Sequence, residues 1–82
     1  MAYWIQDRKD SDPMYRFFYA EFETDILNLP TQTEMGKQDP GDDIELKAAN
    51  AICGEGSECL LVATGDVYVL GKTTNTWDKL GG

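Results

Sequence analysis

The side chains that could perform covalent chemistry in this sequence are two cysteines, Cys53 and Cys59, and fifteen acidic residues. A cysteine or serine nucleophile normally needs a neighbouring base, and histidine, the usual base, is absent from the chain. A carboxylate pair such as Asp42 and Asp43 can transfer protons efficiently only inside an apolar pocket, and these two residues stand in a polar stretch. The residue types therefore predict that the protein is not an enzyme and has no catalytic residues.

Metal and cofactor binding have little support from the residue types. Cys53 and Cys59 supply only half of a tetrahedral zinc shell, and no histidine can complete it. The acidic residues at 39–45 could hold a calcium ion loosely, but their spacing does not match an EF-hand loop. We predict no metal and no cofactor. The two cysteines are interpreted as small buried hydrophobes, with a short-loop disulfide as the alternative.

Length and charge restrict the class of protein further. The 82 residues allow one domain with one modest core, and cores of this size often depend on a partner subunit. A formal charge of −8 opposes binding to nucleic acid, because phosphate recognition needs clustered Lys and Arg. No apolar run is long enough to cross a bilayer, and the first residues lack a signal-peptide pattern. We expect no nucleic acid and no membrane among the partners.

The N-terminal residues 1–13 read as an arm, and residues 14–82 as a single β domain. The arm ends in a charged stretch closed by Pro13, which disfavours a helix. It also carries Tyr3-Trp4-Ile5, three bulky residues near a terminus, where disorder is usual unless something holds the chain. These residues either pack inside the domain or dock on a neighbouring subunit.

The aromatic segment from Tyr15 to Phe22 predicts a strand with aromatic groups on both faces. After it, residues 25–31 suit a single helical turn or an extended segment that ends at Pro30. Residues 31–43 predict a long acidic loop with a turn at 39–42. Ile44 to Ala51 is ambiguous, and its alternating start favours a strand.

The last quarter of the chain carries the clearest local signals. Short β-prone runs at 58–63, 67–70 and 76–80 are separated by turns that contain Gly65, Gly71 and Asn75. These signals predict a β-meander. We therefore expect a mainly β fold, a small single-domain antiparallel β-meander or sandwich with an N-terminal arm and a long acidic loop.

The stretch from Gly56 to Trp77 resembles a terminal pattern of small tailed-bacteriophage virion proteins, of the head fibre and capsid decoration type. The shared features are a Gly-Ser step, an apolar strand, a tight turn, the strand Val67-Tyr68-Val69-Leu70, a polar turn and a tryptophan. Leu29-Pro30-Thr31 also resembles a step that often precedes this pattern. The resemblance implies a structural protein located in the virion after synthesis in the host cytoplasm. Its implied partners are phage structural proteins such as the major capsid protein, and further copies of the chain.

A virion subunit needs apolar surface that becomes buried on assembly. We therefore predict a subunit interface that is formed by aromatic and aliphatic residues of the arm and the first strand: Tyr3, Trp4, Ile5, Phe18 and Phe22. The alternative function is a soluble acidic inhibitor, or nucleic-acid mimic, that binds a host enzyme. The charge of −8 is the motivation for this alternative.

Overall fold

The computed structural model describes residues 3–5 and 15–80. Within these residues, five strands form one mixed sheet in the order β1-β2-β3-β4-β5, accompanied by two short helices. The strands are β1 (Tyr3–Ile5), β2 (Phe17–Ala20), β3 (Glu58–Leu61), β4 (Asp66–Leu70) and β5 (Trp77–Lys79). The helices are α1 (Glu23–Ile26) and α2 (Ile44–Ala49). The prediction of a mainly β single domain is confirmed.

The N-terminal aromatic residues belong to the sheet. Tyr3–Ile5 pairs antiparallel with β2, with Tyr3 opposite Ala20 and Ile5 opposite Phe18. Residues 1, 2 and 6–14, which include most of the predicted arm, lie outside the described residues. The structure therefore gives the location of the three bulky arm residues, and they form an edge strand.

The C-terminal meander follows its local signals. β3, β4 and β5 pair antiparallel in sequence order. Gly65, with φ +82°, occupies the β3–β4 turn, and Asn75, with φ 54°, ends the β4–β5 turn. Such conformations are easiest for Gly and tolerable for Asn, which explains why these two residue types mark the turns.

One pairing departs from an all-antiparallel meander. β2 lies parallel to β3, with Phe18 opposite Cys59. A parallel pair needs a long connection that returns the chain to the same end of the sheet. Residues 21–57, which contain both helices and the predicted loop, provide this connection.

The expected strand from Ile44 to Ala51 is wrong, because Ile44–Ala49 forms helix α2. The Asp43 carboxylate accepts hydrogen bonds from the backbone N–H groups of Glu45, at 2.9 Å, and Leu46, at 3.4 Å. Such an N-cap satisfies donors that the first helical turn leaves unpaired. The cap, together with the helix-forming composition of Leu46–Ala49, outweighs the two-residue alternation at the start of the segment.

The core lies on one face of the sheet, beneath the helices and the connecting loop. It contains alternate strand residues together with Ile26 of α1, Ala49 of α2 and the loop residue Leu29. Cys53 and Cys59 are fully buried there, and neither thiol is in a disulfide. Their predicted role as small buried hydrophobes is confirmed. Burial, and secondarily the charge of Asp25, raises the pKa of the Cys59 thiol to about 12.

A buried polar network attaches β1 to the rest of the domain. The hydroxyl of Tyr3 donates a hydrogen bond to the side-chain oxygen of Asn50, and the Asn50 amide donates to the backbone carbonyl of Gln38. Gly36 lies against this network, since a Cβ atom there would stand 2.0 Å from the Tyr3 hydroxyl oxygen. The network gives an N-terminal strand of three residues specific contacts with residues far along the chain.

Trp77 joins β5 to the connecting loop on the core side. Its ring meets that of Phe18 edge to face, with centroids 6.0 Å apart, and its indole Nε1 donates to the Pro30 carbonyl at 2.8 Å. Tyr68 also packs against the core. Trp77 and Tyr68 are therefore partly buried core residues.

Candidate protein-binding surface

The second face of the sheet is built from apolar side chains that the core does not use. Because side chains alternate along a strand, the residues between the core positions all point to this face. We call it the open face and define it by the strand residues Trp4, Phe17, Tyr19, Glu58, Leu60, Val67, Val69 and Asp78. Both helices contribute their buried residues to the opposite face, so neither of these described elements covers it.

Strand register arranges the open face in two rows across the sheet. Trp4, Tyr19, Leu60 and Val67 lie directly opposite one another on successive strands. The Trp4 and Tyr19 rings are 5.6 Å apart between centroids. Cross-strand pairs of this kind stabilise a sheet and also give it a continuous apolar surface.

The second row combines apolar and charged groups. Phe17 lies opposite Glu58, which lies opposite Val69, and Val69 lies opposite Asp78. The Phe17 ring is 5.7 Å from that of Tyr19, which links the two rows. The open face is therefore an aromatic and aliphatic surface that contains two carboxylates.

Exposure along the open face is intermediate rather than complete. Trp4 is 40% exposed, while Phe17, Tyr19, Leu60, Val67 and Val69 are half-buried by their neighbours within the sheet. Surfaces that combine aromatic side chains with few charges are typical of the central part of protein–protein interfaces. A small-molecule site would instead require a concave pocket.

The five predicted interface residues divide between the two faces. Tyr3, Ile5 and Phe18 are enclosed in the core, with exposures of 1%, 6% and 0%. Trp4 belongs to the open face, and Phe22 is 56% exposed beside α1. Since side chains buried within their own chain are not available to another subunit, the interface hypothesis is narrowed to Trp4, with Phe22 on a separate surface.

The open face is completed by Leu60, Val67 and Val69, which are not among the five predicted interface residues. Their runs, 58–63 and 67–70, are apolar at almost every position, so the sequence gives no alternation that distinguishes a buried side from an exposed side. The sequence signal that could have identified them is the two-residue spacing of Phe17 and Tyr19, which places both rings on one face of a strand. Combined with the strand pairing, it assigns every second residue to the same face.

Tyr15 extends the open face next to Glu58. It precedes Phe17 by two residues and is 42% exposed. Desolvation, and then the negative charge and hydrogen bond of Glu58, raise the pKa of Tyr15 above its ordinary value.

A separate concave region lies on the helical side of the domain. Two adjacent cavities of about 270 and 330 Å³ share Ile26, Leu27 and Trp77 in their walls. Leu27 is 78% exposed between them. The cavities have mainly apolar walls, and neither is lined by a cysteine. They form a shallow apolar groove.

The acidic loop residues use their carboxylates locally. Asp39 accepts a hydrogen bond from the Gly41 N–H at 3.0 Å, and Asp43 caps α2. Across residues 3–5 and 15–80, no three side chains of the His, Cys, Asp or Glu type converge on a position where they could hold a metal ion. In the same residues, neither helix has the length and apolar character needed to cross a membrane.

Comparison of the chain with protein-family models, with curated proteins and with solved structures finds no match. The resemblance to small virion proteins therefore rests on Leu29-Pro30-Thr31 and mainly on the residues from Gly56 to Trp77. In the fold, residues 56–77 correspond to β3, β4 and the start of β5, with their turns.

Proposed function

We propose that this chain is a structural component of a tailed-bacteriophage virion, a capsid decoration or head fibre protein without catalytic activity. The observation that carries the proposal is the open face, an apolar and aromatic sheet surface that neither helix covers. Burial of this face against another protein would remove it from water, which is the main driving force of protein association. The resemblance of the meander to virion proteins supplies the type of assembly.

The partners of the proposal are phage structural proteins such as the major capsid protein, together with further copies of the chain. A domain of 82 residues buries a limited core, so contacts with other subunits add stability that the fold alone lacks. The place of action is the virion, after synthesis in the host cytoplasm.

Contacts between copies would use a surface other than the open face, and the edge strand β5 is suitable. Two residues of the β5 region point backbone groups toward β4. The Thr76 carbonyl accepts a hydrogen bond from the Gly71 N–H, and the Leu80 N–H donates to the Val67 carbonyl. Because successive residues of a strand point their backbone groups to opposite sides, those of Trp77 and Lys79 point away from β4, toward the outer edge. An outer edge of this kind can pair with a strand of another chain.

The second candidate is a soluble acidic inhibitor, or nucleic-acid mimic, that binds a host enzyme. It is favoured by one observation, the number of exposed carboxylates on a chain of charge −8. Within residues 15–80, the exposed acidic residues outside the strands are Glu21, Glu23, Glu34, Asp39, Asp42, Asp43, Glu45 and Glu55. For this function these carboxylates, rather than the open face, would contact the partner.

Two measurements test the proposal. Light scattering across a concentration series gives the mass of the purified protein and shows whether copies associate without another protein. Mass spectrometry of gradient-purified particles, from a phage that encodes the chain, should find it in fixed proportion to the major capsid protein. A chain that is missing from particles and copurifies with a host enzyme would instead support the inhibitor.

Substitutions on the open face test whether this surface binds the particle. Trp4→Ser and Leu60→Thr together should abolish association with particles, because both residues lie in the apolar row. Leu27→Ser is the matched control, since Leu27 is exposed on the helical side. Equal particle association of the double variant and the wild type would exclude the open face.

A further inference from the structure

We propose that the protein surface that covers the open face inserts an arginine side chain beside Glu58, against the rings of Tyr15 and Phe17. This inference rests on the proposed function, because it specifies the chemistry of the partner that the open face would bind. Its basis is the position of Glu58, which lies between apolar and aromatic neighbours on the open face.

Strand register places Glu58 between apolar neighbours. It lies directly opposite Phe17 on β2 and opposite Val69 on β4. Tyr15 precedes Phe17 by two residues, and the negative charge of Glu58 contributes to the raised pKa of Tyr15. The carboxylate therefore has aromatic groups on one side and an aliphatic group on the other.

Among the strand residues of the open face, negative charge has no compensating cation. The two charged strand residues, Glu58 and Asp78, are both acidic. Among the described residues, the salt bridges lie elsewhere, between Lys37 and Glu34 and between Lys79 and Asp66. A partner that buried Glu58 beneath apolar groups would incur the cost of desolvating a charge unless it supplied a positive group.

The charges of the open face favour a different protein, rather than a second copy of the chain, as the partner of this face. Two copies joined through their open faces would bring together Glu58 and Asp78 of both chains, and the strand residues of this face include no Lys or Arg. Like charges at a desolvated contact oppose association. The charge complement of the face is therefore a basic residue surrounded by apolar groups on a different protein.

Arginine fits this position better than lysine. Its planar guanidinium can donate two parallel hydrogen bonds to one carboxylate and can stack on aromatic rings. It is also more weakly hydrated than an ammonium group, so moving it to a partly apolar surface costs less free energy. Tyr15 and Phe17 provide the rings, and Glu58 provides the carboxylate.

The test uses two synthetic tripeptides as probes and the full chain as the receptor. One probe is acetyl-Leu-Arg-Leu-amide, and the other has citrulline, the neutral isostere of arginine, at its centre. Titrations followed by two-dimensional NMR of the labelled protein give both the dissociation constant and the residues affected. The receptor variants are Glu58→Gln, which removes the charge and keeps the shape of the side chain, and Glu45→Gln as the control. Glu45 is exposed on α2, and its substitution changes the net charge by the same amount.

We expect the arginine probe to bind the wild type weakly and saturably, with shifts at Tyr15, Phe17 and Glu58. Binding should weaken by at least about fivefold for the citrulline probe and for Glu58→Gln, and should be unchanged for Glu45→Gln. Equal affinity of the two probes, an unaffected Glu58→Gln protein, or no saturable binding at millimolar probe would each overturn the inference.

These outcomes are independent of the test of the proposed function. If particles contain the chain but probe binding does not depend on Glu58, the virion role is supported and the arginine contact is excluded. A response that depends on Glu58, combined with particles that lack the chain, would support the arginine contact and remove the virion role.

Discussion

The side-chain amide of Gln38 hydrogen bonds to both backbone groups of Tyr3. The Gln38 oxygen accepts from the Tyr3 N–H at 2.9 Å, and the Gln38 nitrogen donates to the Tyr3 carbonyl, also at 2.9 Å. One side chain thus takes the place of a neighbouring strand along the outer edge of β1. Exposed strand edges favour unwanted pairing between chains, and this contact closes one of them.

Removal of the Gln38 amide should loosen β1. We expect Gln38→Ala to lower the free energy of unfolding by about 1–3 kcal/mol, because two backbone groups lose their partners. Urea denaturation measures this loss, and hydrogen exchange should rise first at Tyr3. Lys37→Ala is the control, since its ion pair with Glu34 joins two exposed side chains and contributes at most about 1 kcal/mol. An equal effect of the two substitutions would show that Gln38 does not hold the strand.

A methyl group at position 36 should be incompatible with the buried network. A Cβ atom on Gly36 would stand 2.0 Å from the Tyr3 hydroxyl oxygen and 2.9 Å from the Asn50 side-chain oxygen. We expect Gly36→Ala to cost more than about 2 kcal/mol of stability through this overlap.

The same substitution in a Tyr3→Phe background should cost less, because the hydroxyl that it meets is absent. A double-mutant cycle measured by urea denaturation gives the coupling, which we expect to be about 1 kcal/mol or more. Additive effects would mean that the domain relieves the overlap by moving the backbone.

The two faces of β2 should respond differently to the loss of a ring. Phe18 is fully buried, and Phe18→Ala should cost about 3–5 kcal/mol, which is enough to unfold much of the population. Phe17 lies on the open face, and Phe17→Ala should cost about 1 kcal/mol. Circular dichroism during thermal unfolding compares the two. Similar losses would indicate that the open face is covered within the chain.

Stability should fall at alkaline pH. Burial raises the pKa of Tyr3 from 10.0 to about 12, and burial together with the charge of Asp25 raises that of Cys59 from 9.0 to about 12. Between the ordinary and the raised pKa of each group, the unfolded chain loses a proton that the folded chain retains. The free energy of unfolding is therefore highest below about pH 9 and declines as the pH rises toward 12. Each group contributes a slope of about 1.4 kcal/mol per pH unit.

Urea denaturation from about pH 8 to about pH 11 measures this decline. Burial also raises the pKa of the Cys53 thiol, so Cys59→Ala should make the decline that begins near pH 9 less steep without abolishing it. An identical pH profile for this variant and the wild type would assign the decline to other groups.

The sequence predicts those parts of the fold that depend on neighbouring residues. The three C-terminal strands have glycine or asparagine at their turns, and the structure places Gly65 and Asn75 where a positive φ is needed. The segment from Ile44 was misassigned because its outcome depends on the cap formed by Asp43, whose geometry only a structure shows.

Other features depend on contacts between distant residues, which local patterns do not reveal. The parallel pairing of Phe18 with Cys59 joins residues separated by the whole connection. Likewise, the sequence shows three bulky residues at 3–5 but not which of them face the core. Their assignment requires the register with β2, which buries Tyr3 and Ile5 and exposes Trp4.

The parallel pairing of β2 with β3 also bears on synthesis at the ribosome. β1 and β2 emerge first, yet β2 acquires its inner neighbour only after Glu58–Leu61 has been translated. The β3–β5 meander, by contrast, needs only local contacts and can form as soon as it is complete. During elongation, the aromatic strands β1 and β2 therefore remain without their β3 neighbour. We expect nascent chains truncated before β3 to require chaperone protection.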